Sequence, residues 1–289
     1  MALSADIKHD SQAVNGARHL AMALAYAVRP SRLLHPFGFA RLLIERLFRR
    51  VPRTQFLREP EEALAAPDGL VDIGGPMTPE RLMAAYRRAI FPWCHVGPVK
   101  WWAPSRRAVL FLEESRIEKN LRRLLRQGKY RVTFDTAFRE VMRGCAEPRA
   151  GRYALTWISP RFMEAYAKLH EMGHAHSVEV WDDDEGVLAG GLYGVACGGV
   201  FFTESQFAGK RDTSKIAFVT LNRHLQHWGY RLNDGKDMTG HLAALGMREI
   251  PRAEFDRIVR EHENDRHPPG RWEVDPELDV AGWKPEAEV

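Results

Sequence analysis

Two carboxylates stand out because of what precedes them. Glu204 follows the apolar run Val200-Phe201-Phe202, within Thr203-Glu204-Ser205-Gln206-Phe207, and Asp234 follows Tyr230-Arg231-Leu232. A carboxylate at the end of a buried strand needs a partner or a cationic ligand. Two such strand ends side by side would make one acidic site; two unrelated surface-turn acids are the plainer alternative. His170, His174 and His176 invite a metal reading. Gly173 ends the preceding helix pattern, however, and no H-E-x-x-H motif is present, so satisfied structural histidines are expected. Gly190-Gly191-Leu192-Tyr193-Gly194 is glycine-rich but opens no helix, so a dinucleotide site is not indicated. Arg116–Arg131 carries seven Lys/Arg against a single acid, Glu118. On a helix, Lys119, Arg122, Arg123 and Arg126 would cover the outer face. Such a face suits phosphate contacts, with a merely solvated face as the alternative.

The elements that must position these residues follow from periodicity. Thr78-Pro79 supplies a capping hydroxyl and a proline at the first helical position; Leu82, Ala85, Tyr86 and Ala89 then share one face. Trp101-Trp102-Ala103-Pro104 reads as an aromatic pair in a turning segment. Ala108–Leu112 and Tyr130–Phe134 read as strands, Glu114–Gln127 and Thr136–Cys145 as helices. Ser159-Pro160 caps a helix closed by Gly173. His176–Trp181 and Val187–Ala196 alternate as strands around the turn at 182–186, Val200–Thr203 adds another, and Ser214–Trp228 is a helix. Mixed elements of this kind predict an α+β or α/β layer fold.

Charge is unevenly spread. Residues 1–58 hold ten Lys/Arg and three Asp/Glu, whereas the whole 289-residue chain sums to only +4, so the first fifth is the source of the positive excess. Ala17–Val28 and Phe37–Phe48 are helix-compatible. They would form either a basic amphipathic arm touching RNA or a membrane surface, or a helical lid on the body. From Glu254 onward the chain is acidic, and Pro268-Pro269-Gly270 interrupts it; a surface-lying end is expected. Cys94, Cys145 and Cys197 are too few and scattered for a disulfide framework or a zinc site. No apolar run approaches the ~20 residues of a membrane helix. A soluble, cytoplasmic protein is expected. The division is 1–53 basic helical extension, 54–105 small N-terminal domain, 106–255 main domain and 256–289 acidic tail.

Longer motifs add a resemblance. Pro79-Glu80-Arg81-Leu82, Tyr86-Arg87-Arg88, Ile90-Phe91-Pro92-Trp93, Trp101-Trp102 with Pro104, Ala165-Tyr166, Leu169-His170, and Gly173 through Trp181 occur in order. Gly190 through Ala196, Glu204-Ser205 with Phe207, Ser214-Lys215, Leu245-Gly246 and Glu249 through Arg252 continue them. From about Phe56 to Phe255 the chain resembles the leucyl/phenylalanyl-tRNA–protein transferases. The resemblance implies a small N-terminal α/β domain and a C-terminal N-acetyltransferase-like domain with a mixed sheet flanked by helices. It implies transfer of Leu or Phe from aminoacyl-tRNA to a protein's N-terminal Arg or Lys, creating a destabilising N-terminus, with no metal or organic cofactor.

An aminoacyl ester is already activated, so the enzyme must orient the acceptor amine and help it lose a proton. Asp234 matches the family's relay Asp, and Glu204 would face the acceptor's amine or basic side chain. Trp93 and Trp157 would line the aminoacyl-adenosine site. Tyr166, Leu192, Gln206 and Thr239 complete the substrate-binding candidates, and Lys119, Arg122, Arg123 and Arg126 would meet tRNA. The chain departs from the family at four positions: Lys236 replaces the relay Gln, Thr239 a common Asn, Gln206 an apolar pocket residue and Thr203 a Gly. A lysine ammonium cannot accept a hydrogen bond as a glutamine carbonyl can, so Lys236 is expected to ion-pair with Asp234. A catalytically silent paralogue that binds tRNA or basic N-termini, or an aminoacyl-tRNA-dependent transferase with a different acceptor, is the alternative function.

Overall fold

The computed structural model describes residues 35–52, 54–95, 97–147, 156–265 and 270–284. The proposed helix Ala17–Val28 lies outside them. The first helix, α1 (His35–Arg49), lies on the body rather than projecting as a free arm. Leu42 is fully buried, Arg46 donates to the buried carboxylate of Asp72, and Arg58 donates to Glu45 at 2.6 Å. Gly38 permits this approach, since a Cβ there would come within 2.4 Å of the Pro67 ring. Phe37, Leu43, Ile44, Leu47 and Phe48 remain exposed on its outer side.

A small antiparallel sheet follows, built from β1 (Leu64–Ala65), β2 (Asp68–Ile73), β3 (Phe91–Pro92) and β4 (Lys100–Trp102) in the order β1-β2-β4-β3. Helix α2 (Pro79–Tyr86) starts as the sequence predicts: the Thr78 hydroxyl accepts from the Arg81 amide at 3.3 Å, with Pro79 in the first turn. Trp101-Trp102 closes strand β4, ahead of Pro104. Its indoles donate to the Gly74 and Trp93 carbonyls, which fastens neighbouring segments to the sheet.

The large sheet has seven strands: β5 (Arg106–Phe111), β6 (Arg131–Phe134), β7 (Ala175–Asp182), β8 (Val187–Cys197), β9 (Val200–Ala208), β10 (Leu232–Lys236) and β11 (Arg248–Pro251). Their order is β11-β5-β10-β9-β8-β7-β6, with β9 and β10 parallel and the other pairs antiparallel. This mixed sheet has helices on both faces. Helices α3 (Lys119–Arg126) and α6 (Thr213–His227) cover one face, and α4 (Phe138–Ala146) and α5 (Pro160–Glu171) the other. The short α7 (Gly240–Ala244) and α8 (Arg252–Glu261) complete the order. The architecture is α+β, with a mixed seven-stranded sheet beside a separate four-stranded antiparallel one.

Strand alternation sends successive side chains to opposite faces. Tyr193 and Val195 join the core that also holds the small sheet, while Leu192 joins the core under α6. Pro160 begins α5 as expected, but the Ser159 hydroxyl makes no capping hydrogen bond. Most described residues of the acidic end are exposed or half-buried, as expected of a surface-lying end, but its two tryptophans are not. Trp272 and Trp283 are buried, and Trp272 stacks on His176 with ring centres 3.6 Å apart. Two large aromatic surfaces outweigh the acidic composition of the segment around them.

Candidate active site

The parallel pairing of β9 and β10 stops at Phe202 and Asp234, although β9 runs on to Ala208. A cleft of about 540 Å³ opens beyond that point. Its walls include Phe91, Trp93 and Trp102 from the small sheet and its loop, and Trp157 from the segment before α5. The large sheet contributes Thr203, Glu204, Gly235 and Lys236, and Asp237 and Thr239 follow.

Glu204 lies inside β9, not after it. The β8–β9 register jumps from Tyr193↔Ser205 to Gly194↔Thr203, so Glu204 is the extra residue of a β-bulge. A bulge re-aims its side chain, here toward the hydroxyls of Tyr86 on α2 and Tyr166 on α5. Tyr86 donates to Oε1 at 2.8 Å and Tyr166 to Oε2 at 3.1 Å, with the two hydroxyls 2.6 Å from each other. Burial, reinforced by Glu204, pushes both phenols well above their usual pKa, so they stay protonated donors.

Asp234 also lies within its strand, and a second bulge follows at Gly235, where the β10–β5 register jumps from Asp234 to Lys236. Lys236 adopts φ +65°, a left-handed conformation seldom taken by a residue with a side chain. Its ammonium reaches Glu204 Oε1 at 2.8 Å, the Thr203 carbonyl at 2.8 Å and Asp234 Oδ2 at 3.4 Å. Arg107 on β5 grips Asp234 with both arms of its guanidinium, at 3.0 and 2.6 Å, and donates to the Ala89 carbonyl. Burial alone would raise the Asp234 carboxyl, but Arg107 and Lys236 outweigh it and hold the group below the usual carboxylate range. Arg107 carried no sequence signal beyond a basic residue in an apolar strand.

Glu204, Lys236, Trp93, Trp157 and Thr239 thus meet at one cleft, with Asp234 and Tyr166 directly behind it. Thr239 also caps α7, accepting from the Leu242 amide at 3.2 Å. Leu192 and Gln206 fall outside. They pair with each other across β8 and β9, and Leu192 is directed into the opposite core, because a period of two puts Tyr193, not Leu192, beside Tyr166. On α3, Lys119, Arg123 and Arg126 are exposed, but Arg122 is committed to the chain's own end through the Ala281 and Trp283 carbonyls. Of the three histidines, His174 is half-buried, and the other two are held in structural contacts. His170 bonds the Ala175 carbonyl and stacks on Phe138, and His176 bonds Asp135. Among the described residues, no group of three His, Cys, Asp or Glu is placed to hold a metal ion, and no helix is long and apolar enough to cross a membrane.

The two halves of the cleft match two parts of one family. The model of the leucyl/phenylalanyl-tRNA protein transferase matches residues 109–260, and that of its N-terminal domain matches residues 75–105. The chain belongs to this family. The transferase of Stutzerimonas stutzeri is 51% identical over 204 residues, 70% of this chain and 88% of the relative. That of Aromatoleum aromaticum is 47% identical over 222 residues, covering 76% and 92%. That of an Anaeromyxobacter species is 46% identical over 228 residues, covering 78% and 95%. Among solved structures, the L-PGS of Bacillus licheniformis superposes with a TM-score of 0.37 at 11% identity, over 56% of this chain and 66% of that one, too slight a likeness to carry any argument. The family segments leave α1 outside the matched frame, together with everything before it.

Proposed function

We propose that this member of the family transfers Leu or Phe from aminoacyl-tRNA to the N-terminus of an acceptor protein by direct aminolysis. The observation that carries this reading is the cleft itself: aromatic on the side given by the N-terminal family segment, carboxylate-bearing on the side given by the main one. In the step, the acceptor nitrogen bonds to the ester carbonyl carbon, the bond from that carbon to the ribose oxygen breaks, and the amine's proton passes to the leaving oxygen. Positioning supplies much of the rate, because the ester needs no further activation. Trp93 and Trp157 would hold the aminoacyl-adenosine end by stacking. Glu204, fixed by two phenols, would orient the acceptor nitrogen. Asp234 is clamped by Arg107 and held below its ordinary pKa, which favours a positioning role over proton abstraction. In this reading the segments 54–105 and 106–255 act as two domains that share the cleft.

Lys119, Arg123 and Arg126 would meet tRNA phosphates across the face of α3. The deciding experiment is transfer of labelled Leu or Phe from charged tRNA to peptides, read by mass. A product heavier by one residue at the N-terminus is expected; no product with any charged tRNA or acceptor overturns the reading. A secondary contact with anionic membrane is supported by the exposed apolar row on α1, flanked by Arg41, Arg49 and Arg50. Flotation of the full chain with anionic vesicles, lost in a Leu47→Glu/Phe48→Glu variant, is the expected result; no flotation of the unmodified chain overturns it.

A further inference from the structure

Lys236 is held in an arrangement that a primary ammonium would seek out as a ligand. Such a group has three N–H donors and no acceptor. Around the Lys236 nitrogen stand Glu204 Oε1 at 2.8 Å, the Thr203 carbonyl at 2.8 Å and Asp234 Oδ2 at 3.4 Å. The rings of Phe202 and Phe91 lie 5.5 and 5.8 Å away, close enough for their faces to favour a cation. The bulge at Gly235 and the left-handed backbone at Lys236 deliver the chain's own ammonium into this cage. The charges also balance without a ligand: Glu204 and Asp234 are opposed by Lys236 and Arg107, and all four side chains are nearly or fully buried. An incoming cation would find both carboxylates already neutralised and an ammonium in its way.

We propose that Lys236 is a specificity-determining residue that fills the acceptor-cation subsite from within. It disfavours acceptors that begin with Arg or Lys and leaves the cleft to an acceptor protein whose first residue is uncharged. The proposal rests on the aminoacyl-transfer reading for the identity of the acceptor, but the cage and its occupant stand on the geometry alone.

The test uses the full chain, unmodified and as Lys236→Met, which keeps an unbranched side chain one atom shorter and removes its charge. Lys236→Gln serves as a second opened variant and Lys236→Arg as a cation-retaining control. Argininamide and alaninamide are titrated, with binding read from the fluorescence of the cleft tryptophans. Opening the subsite is expected to tighten argininamide binding about tenfold or more while moving alaninamide less than about threefold, and Lys236→Arg is expected to behave as the unmodified chain. In the transfer assay, the unmodified chain is expected to favour Ala-first over Arg-first peptides by about threefold or more. The opened variants are expected to favour Arg-first peptides about tenfold, mainly through KM. Unmodified protein that binds argininamide as tightly as both opened variants overturns the proposal. So does transfer with an acceptor preference that none of the three substitutions changes. Altered amine binding without transfer by any variant leaves the subsite assignment standing and sinks the transferase reading instead.

Discussion

The large sheet buries carboxylates both at the cleft and toward its β6 edge, and these are held in opposite ways. At the cleft, Glu204 and Asp234 are balanced by Lys236 and Arg107, full cations supplied by the chain. Toward the far edge, Glu179 is fully buried and forms no ion pair among the described residues. It accepts from the hydroxyls of Thr133, Thr136 and Ser177, and from the Thr136 and Ala137 amides at the start of α4. Neutral donors and a helix N-terminus surround it on a site closed to solvent. Oriented hydroxyls cannot be exchanged for a ligand, whereas a cation beside a cleft can compete with one. The difference separates a carboxylate that fixes the fold from a carboxylate placed where chemistry occurs.

The comparison can be broken most severely at Arg107. Arg107→Met leaves Asp234 buried with only Lys236 in opposition, and a loss of about 3–5 kcal/mol in urea unfolding is expected. The pH dependence has a definite sign. A carboxylate depressed in the folded state stabilises fully above its unfolded value, about pH 4, and that stability is lost as pH falls through the folded value. The variant should therefore lose this acid limb between the two values. Next in size, Glu204→Gln should slow transfer about 100-fold while the fold persists, since two tyrosine hydroxyls still find an acceptor. Glu179→Gln should show the reverse: a stability loss of about 1–3 kcal/mol, from an amide group set against five donors, with kcat within about twofold. If Glu179→Gln slows transfer as much as Glu204→Gln, the two sites are not distinct in the way argued.

The smallest effect concerns a third carboxylate that neither cations nor hydroxyls satisfy. Asp256 is buried on α8, and neither of its oxygens has a hydrogen-bond partner among the described residues. Burial, with Glu61 adding to it, pushes it up to about 6 despite Arg107, Arg252 and Arg260. A raised acid destabilises the fold once ionised. Asp256→Asn should therefore gain about 1 kcal/mol above pH 6 and nothing near pH 4, as read from thermal melts.

Much of this was legible in the residues. The order of helices and strands, the cap at Thr78, the structural histidines and the pairing of Lys236 with Asp234 all follow from local pattern and side-chain chemistry. The limits were also local. Glu204 and Asp234 read as strand-end residues because Thr203 and Gly235 interrupt the apolar pattern, whereas both lie inside strands next to bulges. Leu192 and Gln206 read as pocket residues from the motif around them, and strand pleating sends Leu192 to the other face. The acidic composition of the last residues concealed Trp272 and Trp283, which anchor them. Arg122 read as a phosphate contact because charge says nothing about which oxygen a guanidinium finds first.

By itself, then, the sequence determined the α+β class, the transferase family, and the presence of a lysine two residues after Asp234. Those follow from hydrophobic period, residue order and side-chain chemistry, which are properties of a linear string. Only the tertiary structure decided that Lys236 turns to Glu204 as well as Asp234, that Arg107 stands behind them, and that β9 and β10 part at this point to open a cleft. Bulges and the close approach of distant strands set those directions, and a one-residue shift of register would have aimed every one of these charges elsewhere.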